Sequence, residues 1–373
     1  QDLALAKYAN SLMGAQIKAE VVQSGHTTGG GSPVVSTNTF PTYQVFPNAR
    51  FAFVGSWGVA IRQTSSVSAV CYKTVDGGAT WATYTLPSSW YQLDCISDGT
   101  RVCIIANDPS FSGAIKSLVS SNGTSWVATT VLSGSTSARY GSGDVAGNGV
   151  NWCIAGSWSG VNYVSRLSVS GGSWIEQSLP TYIGGTPSMG SLGGRFIIFH
   201  DSSSTYYTSD DDGVTWTSRT LPFSGLASVA YGGSGKVYGI TGNGRSCSIS
   251  NDSGSTWSTP VDISAPSDAW GAIGYCNGWV LAQRAQYLAW STDGVSWTSY
   301  FSNYGSGVNY LVTTDPVPNG NQWFVHGDQS SYDYLVVSAP SAGTTIASDP
   351  ITLGSVVSAE CLQSGLLSAG DID

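Results

Sequence analysis

The stretch TSDDDGVTW at 208–216 sets three carboxylates, Asp210, Asp211 and Asp212, between hydroxyl residues and a tryptophan. Clustered acids are oxygen donors of the kind that hold a hard cation such as calcium. Elsewhere Asp108, Asp201 and Asp328 each follow an apolar run, and two acids held about 5–10 Å apart can cleave a glycosidic bond. His200 and His326 precede two of those acids and could ligate a metal or carry a proton. Trp57, Trp90, Tyr91 and Trp158 lie near turn residues, where flat aromatic rings can stack on sugars. All of these chemistries depend on which elements bring the residues together.

The acidic stretch is not unique. TVDGGATW at 74–81 and SNDSGSTW at 250–257 repeat its hydroxyl, Asp, Gly, Thr and Trp spacing. SSNGTSW at 120–126 and STDGVSW at 291–297 are one residue shorter, and SVSGGSW at 168–174 keeps only the glycine and tryptophan. A metal site written six times, once with Asn122 in place of the acid, is a poor account of this pattern. A turn that must be built repeatedly is a better one.

A second period supports that reading. The apolar runs RFAFVG (50–55), RVCIIAN (101–107), WCIAGS (152–157), RFIIFHD (195–201), KVYGITG (236–242), WVLAQR (279–284) and WFVHGD (323–328) recur every 41 to 51 residues. Strand composition at that period signals the blades of a propeller. Each unit reads as a small-residue strand, the apolar run, a third strand, the turn and a fourth strand starting at the turn's tryptophan. Small residues suit the inner strands, which crowd at the axis. The expected fold is all-β, a seven-bladed β-propeller over 39–355. The seventh unit has no acidic turn, so TFPTYQVFP (39–47) or ITLGSVVSA (351–359) is expected to complete it and remove the exposed edge.

The repeated turn resembles the Asp-box, or bacterial neuraminidase repeat, over roughly residues 50–300. The resemblance implies structural roles for Asp76, Gly78 and Trp81, for Asn122, Gly123 and Trp126, and for Trp174. It implies the same for Asp211, Gly213 and Trp216, for Asp252, Gly254 and Trp257, and for Asp293, Gly294 and Trp297. The acid or amide would accept hydrogen bonds from its own hairpin, the glycine would take a backbone conformation closed to other residues, and the tryptophan would pack between sheets. It also implies that the boxes join third to fourth strands. Ligands would then meet the opposite face, where Trp57, Trp90, Tyr91, Asn107, Asp108, Trp158, His200, Asp201, His326 and Asp328 are expected, with a long insertion in blade 1 around AIRQTSSVS. Trp57 and Trp158 read as matched positions in blades 1 and 3.

Sialidases share the box, but their catalytic residues do not carry over. No Arg-Ile-Pro occurs, and Glu176 is the only glutamate in the propeller region. Arg50, Arg101 and Arg195 read as one repeated strand-start position rather than a carboxylate clamp. No catalytic residue, cofactor or metal is assigned.

Composition narrows the partners. The chain has 373 residues, a net charge of −9 and only 14 basic residues, which argues against nucleic acid or an anionic membrane as the main partner. No apolar run approaches the roughly 20 residues of a membrane helix, so no insertion is expected. The seven cysteines form no C-x-x-C knuckles. Cys95 and Cys103 flank a turn and could pair, though buried free thiols are the simpler reading.

The N-terminal QDLALAKYANSLMGAQIKAE places Leu3, Ala6, Ala9, Met13 and Ile17 on one helical stripe, giving a helix over 1–22 and a flexible linker over 23–38. This start resembles attachment helices of bacteriophage tail and fibre proteins; a helix folding back on the propeller is the alternative. A tail spans 356–373. Since the sequence begins at Gln1, a leader or initiator is expected to have been removed, and secretion stays open beside a virion location. The leading expectation is a non-catalytic virion adhesin, present as a homo-oligomer or in multiple copies. It would bind other virion proteins through residues 1–20 and a host-surface polysaccharide through the propeller. A polysaccharide-cleaving enzyme and a structural head or tail decoration are the rivals.

Overall fold

The computed structural model describes residues 34–38, 49–65, 68–85, 91–107, 115–132, 144–168, 171–185, 187–263, 271–284, 287–301, 317–320, 322–329 and 332–338. These strands form seven antiparallel sheets of four strands each, the predicted seven-bladed propeller. Blade 1 comprises Ala49–Val54, Trp57–Ser65, Ser68–Thr74 and Ala82–Tyr84. Blade 2 comprises Tyr91–Ser97, Val102–Asn107, Ile115–Ser120 and Val127–Leu132. Blades 3 to 6 repeat the meander, with inner strands Val145–Gly147, Ser188–Leu192, Leu226–Gly233 and Ala272–Cys276.

Blade 7 joins the two ends of the ring. Its inner three strands are Val317–Asn319, Gln322–Gln329 and Tyr332–Ser338, and Val34–Asn38 pairs antiparallel with the last of them, Val34 opposite Ser338. The closing strand therefore comes from the expected linker, not from 39–47 or 351–359, both of which lie outside the described residues. Its sequence, VVSTN, has the β-branched content of a strand, but five residues beside a Gly-Ser-Pro stretch are too short to stand out. Inner strands of every neighbouring pair of blades touch, blade 7 to blade 1 included.

Cohesion comes from seven apolar wedges, one per seam. Trp81 of blade 1 packs with Phe51, Phe53 and Phe324 at the seam with blade 7, the ring centroids 4.6 to 6.5 Å apart. Trp126, Trp174, Trp216, Trp257 and Trp297 likewise join the wedge between their own blade and the preceding one. The blade 6–7 seam, which has no such turn tryptophan, is filled by Trp290 and Trp323.

One register differs from expectation. RFAFVG is the first strand of blade 1, not the second: Val54 pairs with Trp57 across a two-residue turn, and Trp57–Ser65 is the second strand. The small-residue rule fails here because Phe51 and Phe53 fill the closing seam. The inserted AIRQTSSVS lengthens this blade's second-to-third hairpin, which pairs out to Ser65 and Ser68.

Candidate functional site

The repeated turns lie between third and fourth strands, and their polar groups are turned inward on their own hairpins. In the turn of blade 5, the Ser250 hydroxyl donates to Asp252 Oδ1 at 2.7 Å and accepts from Gly254 N–H at 2.8 Å. Thr256 donates its N–H to Oδ1 at 2.8 Å and its hydroxyl to Oδ2 at 2.7 Å. Asp211 repeats the pattern with Ser209 and Thr215, and Asp76 with Thr74 and Thr80. In the shorter turns the backbone donors need only one side-chain oxygen. Asn122 Oδ1 accepts N–H groups of Thr124 and Ser125 at 2.8 and 2.9 Å, and Asp293 Oδ1 those of Val295 and Ser296, both at 2.7 Å. An amide therefore serves in the short form, while the long form uses both carboxylate oxygens.

Titration follows from these bonds. Hydrogen bonds from the Thr80 hydroxyl, then from its N–H and from the Thr74 hydroxyl, hold Asp76 at about 2. For Asp252, burial acts to raise the pKa, but donors from Thr256, Ser250 and Ser255 outweigh it and bring it down to about 2. Asp211 and Asp293 are lowered by the same competition.

Donors from the preceding blade clasp the turn backbones. Asn319 reaches Gly77 O at 3.0 Å, Lys73 reaches Gly123 O at 2.9 Å, and Asn151 reaches Asp212 O at 2.7 Å. Arg195 bonds Ser253 O at 2.9 Å, pairs with Asp210 and contacts the Ser255 hydroxyl, and Lys236 reaches Asp293 O at 3.4 Å. Reading the turns one at a time missed this chain of clasps. Its sequence signal is a Lys, Arg or Asn at or beside a strand end, as at Asn319, Lys73, Asn151, Arg195 and Lys236. Arg50 does not share Arg195's position; it sits on the inner strand of blade 1, with Nε 3.6 Å from Asp94 Oδ1.

The opposite face keeps most of its expected residues by strand position. Tyr91 pairs with Asn107 at one end of blade 2, Trp158 ends the second strand of blade 3, and His326 and Asp328 lie toward the far end of the second strand of blade 7. Trp90 and Asp108 lie outside the described residues. Trp57 is a correction. Its turn joins first to second strand, so it sits on the acidic-turn face, and Trp158 is not its counterpart. Its half-buried ring covers Gly123 so closely that a Cβ there would come within 2.9 Å of Cε3.

His200, Asp201 and Ser202 meet in blade 4, but not as a relay. Asp201 Oδ1 lies 3.1 Å and Ser202 Oγ 2.9 Å from the same ring nitrogen, Nδ1. A nucleophile–base–acid relay needs the two partners on different nitrogens. The ring packs over Gly184, where a Cβ would lie 2.7 Å from Nδ1, so the histidine closes the junction of blades 3 and 4. Among the described residues no three His, Cys, Asp or Glu side chains gather as a metal-holding group. Cys71, Cys95, Cys103, Cys153, Cys247 and Cys276 are buried and free, which answers the Cys95–Cys103 alternative.

The axial channel is a concavity of about 620 Å³ walled by the inner strands of all seven blades. Among the described residues, Arg50, Asp94, Asp98 and Asp144 are its charged lining residues.

No protein-family model and no curated protein sequence matches the chain. Solved structures do. One described as YCF48 bound to D1 peptide is 17% identical, with a TM-score of 0.56 over 83% of this chain and 96% of that one. YCF48 from Cyanidioschyzon merolae is 16% identical, with a TM-score of 0.57 over 82% and 98%. The likeness is one of fold. It extends across 792 chains of solved structures, a breadth that identifies an architecture and not one activity.

Proposed function

We propose that the chain is a non-catalytic binding protein, a rigid propeller that presents the face opposite its acidic turns to a host-surface glycan. The observation that carries this reading is the commitment of the turn acids: Asp76, Asp211, Asp252 and Asp293 all accept from their own hairpins, leaving the most conspicuous acids of the chain structural. His200 with its two partners on one nitrogen points the same way. The resemblance of residues 1–20 to phage attachment helices supports a virion location within this proposal, where many copies would add avidity to weak sugar contacts.

A glycan array probed with wild type and Trp158→Ala tests adhesion. Saturable binding, weakened on the order of tenfold by loss of the aromatic ring, is expected. Unchanged binding removes Trp158 from the site, and no binding to any glycan removes the adhesin reading. A peptide array run in parallel covers protein partners, since one propeller of like fold is described as bound to a peptide. New reducing ends released from polysaccharide, and lost in Asp201→Asn or Asp328→Asn, would replace adhesion with hydrolysis. Cross-linking of residues 1–20 to another virion protein tests the attachment role.

A further inference from the structure

The connection between blades 3 and 4 carries an exposed ring on a rigid backbone. It starts where Ile175–Ser178, the outer strand of blade 3, ends on the face opposite the acidic turns. Tyr182, in this connection, keeps 47% of its surface exposed and is the single aromatic among the exposed large hydrophobic side chains of the described residues. Its neighbours are held on both sides. Thr181 donates its N–H to the Tyr207 hydroxyl at 2.8 Å, and that hydroxyl donates to Thr181 O at 3.1 Å. Ile183 donates its N–H to Asn162 Oδ1 at 2.7 Å, and Asn162 Nδ2 reaches Gly184 O at 3.3 Å. Tyr207, Asn162 and Ile183 are all buried. The Tyr182 side chain itself makes no hydrogen bond or ring contact with any described residue. Binding a ligand there costs little backbone ordering, because the backbone is already fixed.

Two turns border this connection. Val161 pairs with Trp158 across the second-to-third turn of blade 3 and directly precedes Asn162, so the turn of Trp158 lies beside it. From blade 4, the His200 ring packs over Gly184 and Gly185, where added Cβ atoms would lie 2.7 Å from Nδ1 and 3.7 Å from Nε2. Asp201 follows, its backbone fixed against Gly242 of blade 5. It leaves 63% of its side chain exposed, with Oδ1 3.1 Å from His200 Nδ1. Its Oδ2 takes no hydrogen bond from any described residue. An ionised carboxylate only accepts hydrogen bonds, so an open oxygen suits a sugar hydroxyl and repels a second carboxylate. A flat exposed ring suits the apolar face of a pyranose.

We propose that Tyr182 and Asp201 form a sugar subsite beside the turn of Trp158, the ring stacking on an uncharged pyranose and the carboxylate accepting its hydroxyls; this rests on glycan adhesion as the function. A glycan array carrying uncharged polysaccharides beside uronate polymers tests it. Wild type is expected to favour the uncharged polymers, Tyr182→Ala to bind them about three- to tenfold more weakly, and Tyr182→Phe to retain binding. Asp201→Asn should narrow the preference for uncharged over uronate polymers by about three- to fivefold, a change that a purely structural carboxylate would not produce. Preference for uronates in wild type, undiminished binding by Tyr182→Ala, or unchanged selectivity in Asp201→Asn overturns the subsite and leaves adhesion standing. No binding to any polymer overturns both. Thermal melts of wild type and Tyr182→Ala should coincide, since the ring has no hydrogen bond or ring partner among the described residues. A melt lowered by several degrees would make Tyr182 a packing residue and count against the subsite.

Discussion

Asp252 illustrates how a residue with catalytic potential becomes a structural one. Its carboxylate is exposed to water, yet both oxygens are engaged by its own turn. Asp252→Ala leaves those donors without their acceptor and should lower stability by about 1–2 kcal/mol, the low end for charged hydrogen bonds because solvent screens this site. Chemical denaturation checks the value, and a change indistinguishable from zero would count against the role. The lowered pKa also sets an acid limb. With the folded value at about 2 and an unfolded value near ~3.9, the contribution is complete above about pH 4 and is lost as pH falls through about 2. Melting temperatures measured from pH 5 to pH 2 should fall in that window, and Asp252→Asn should flatten the fall. Asn122 shows that an amide can close a related turn. The thiols make a second case at this scale. Burial pushes Cys71 and Cys247 up to about 12 and Cys276 to about 11. Of the seven cysteines, at most one should react with Ellman's reagent in the native protein and all seven after denaturation.

Among the elements, turns were the most legible part of the chain. Hydroxyl, acid and glycine at fixed spacing identify a hairpin whose bonds are local, so neighbouring residues suffice to specify it. The register of blade 1 was not legible, because Phe51 and Phe53 answer to Phe324, more than 250 positions away. Trp57 was misplaced with it. The seams make a sharper prediction. Gly242 in blade 5 faces the backbone of blade 4, and a Cβ there would sit 1.5 Å from Asp201 O. Neither backbone can yield without moving a blade, so Gly242→Ala should cost about 3 kcal/mol or more, or leave the protein insoluble. A thermal melt close to wild type would show that this seam is softer than its geometry.

For the whole molecule, closure rests on five residues, Val34–Asn38, pairing with the last strand of blade 7. Truncation through Asn38 should expose the edge of that sheet, lowering the melting temperature and promoting aggregation relative to truncation through Pro33. Equal melting temperatures by calorimetry would show that the ring holds without its outer strand. Blade number, strand class and the turn architecture could be deduced without coordinates, since each is a local pattern written repeatedly. The closing strand and the clasps from Lys73, Arg195 and Asn319 could not. Those features join residues that are distant in sequence and become neighbours only when seven sheets meet around one axis. Periodicity is a property of the chain, whereas a seam, a channel and a closure are properties of the ring.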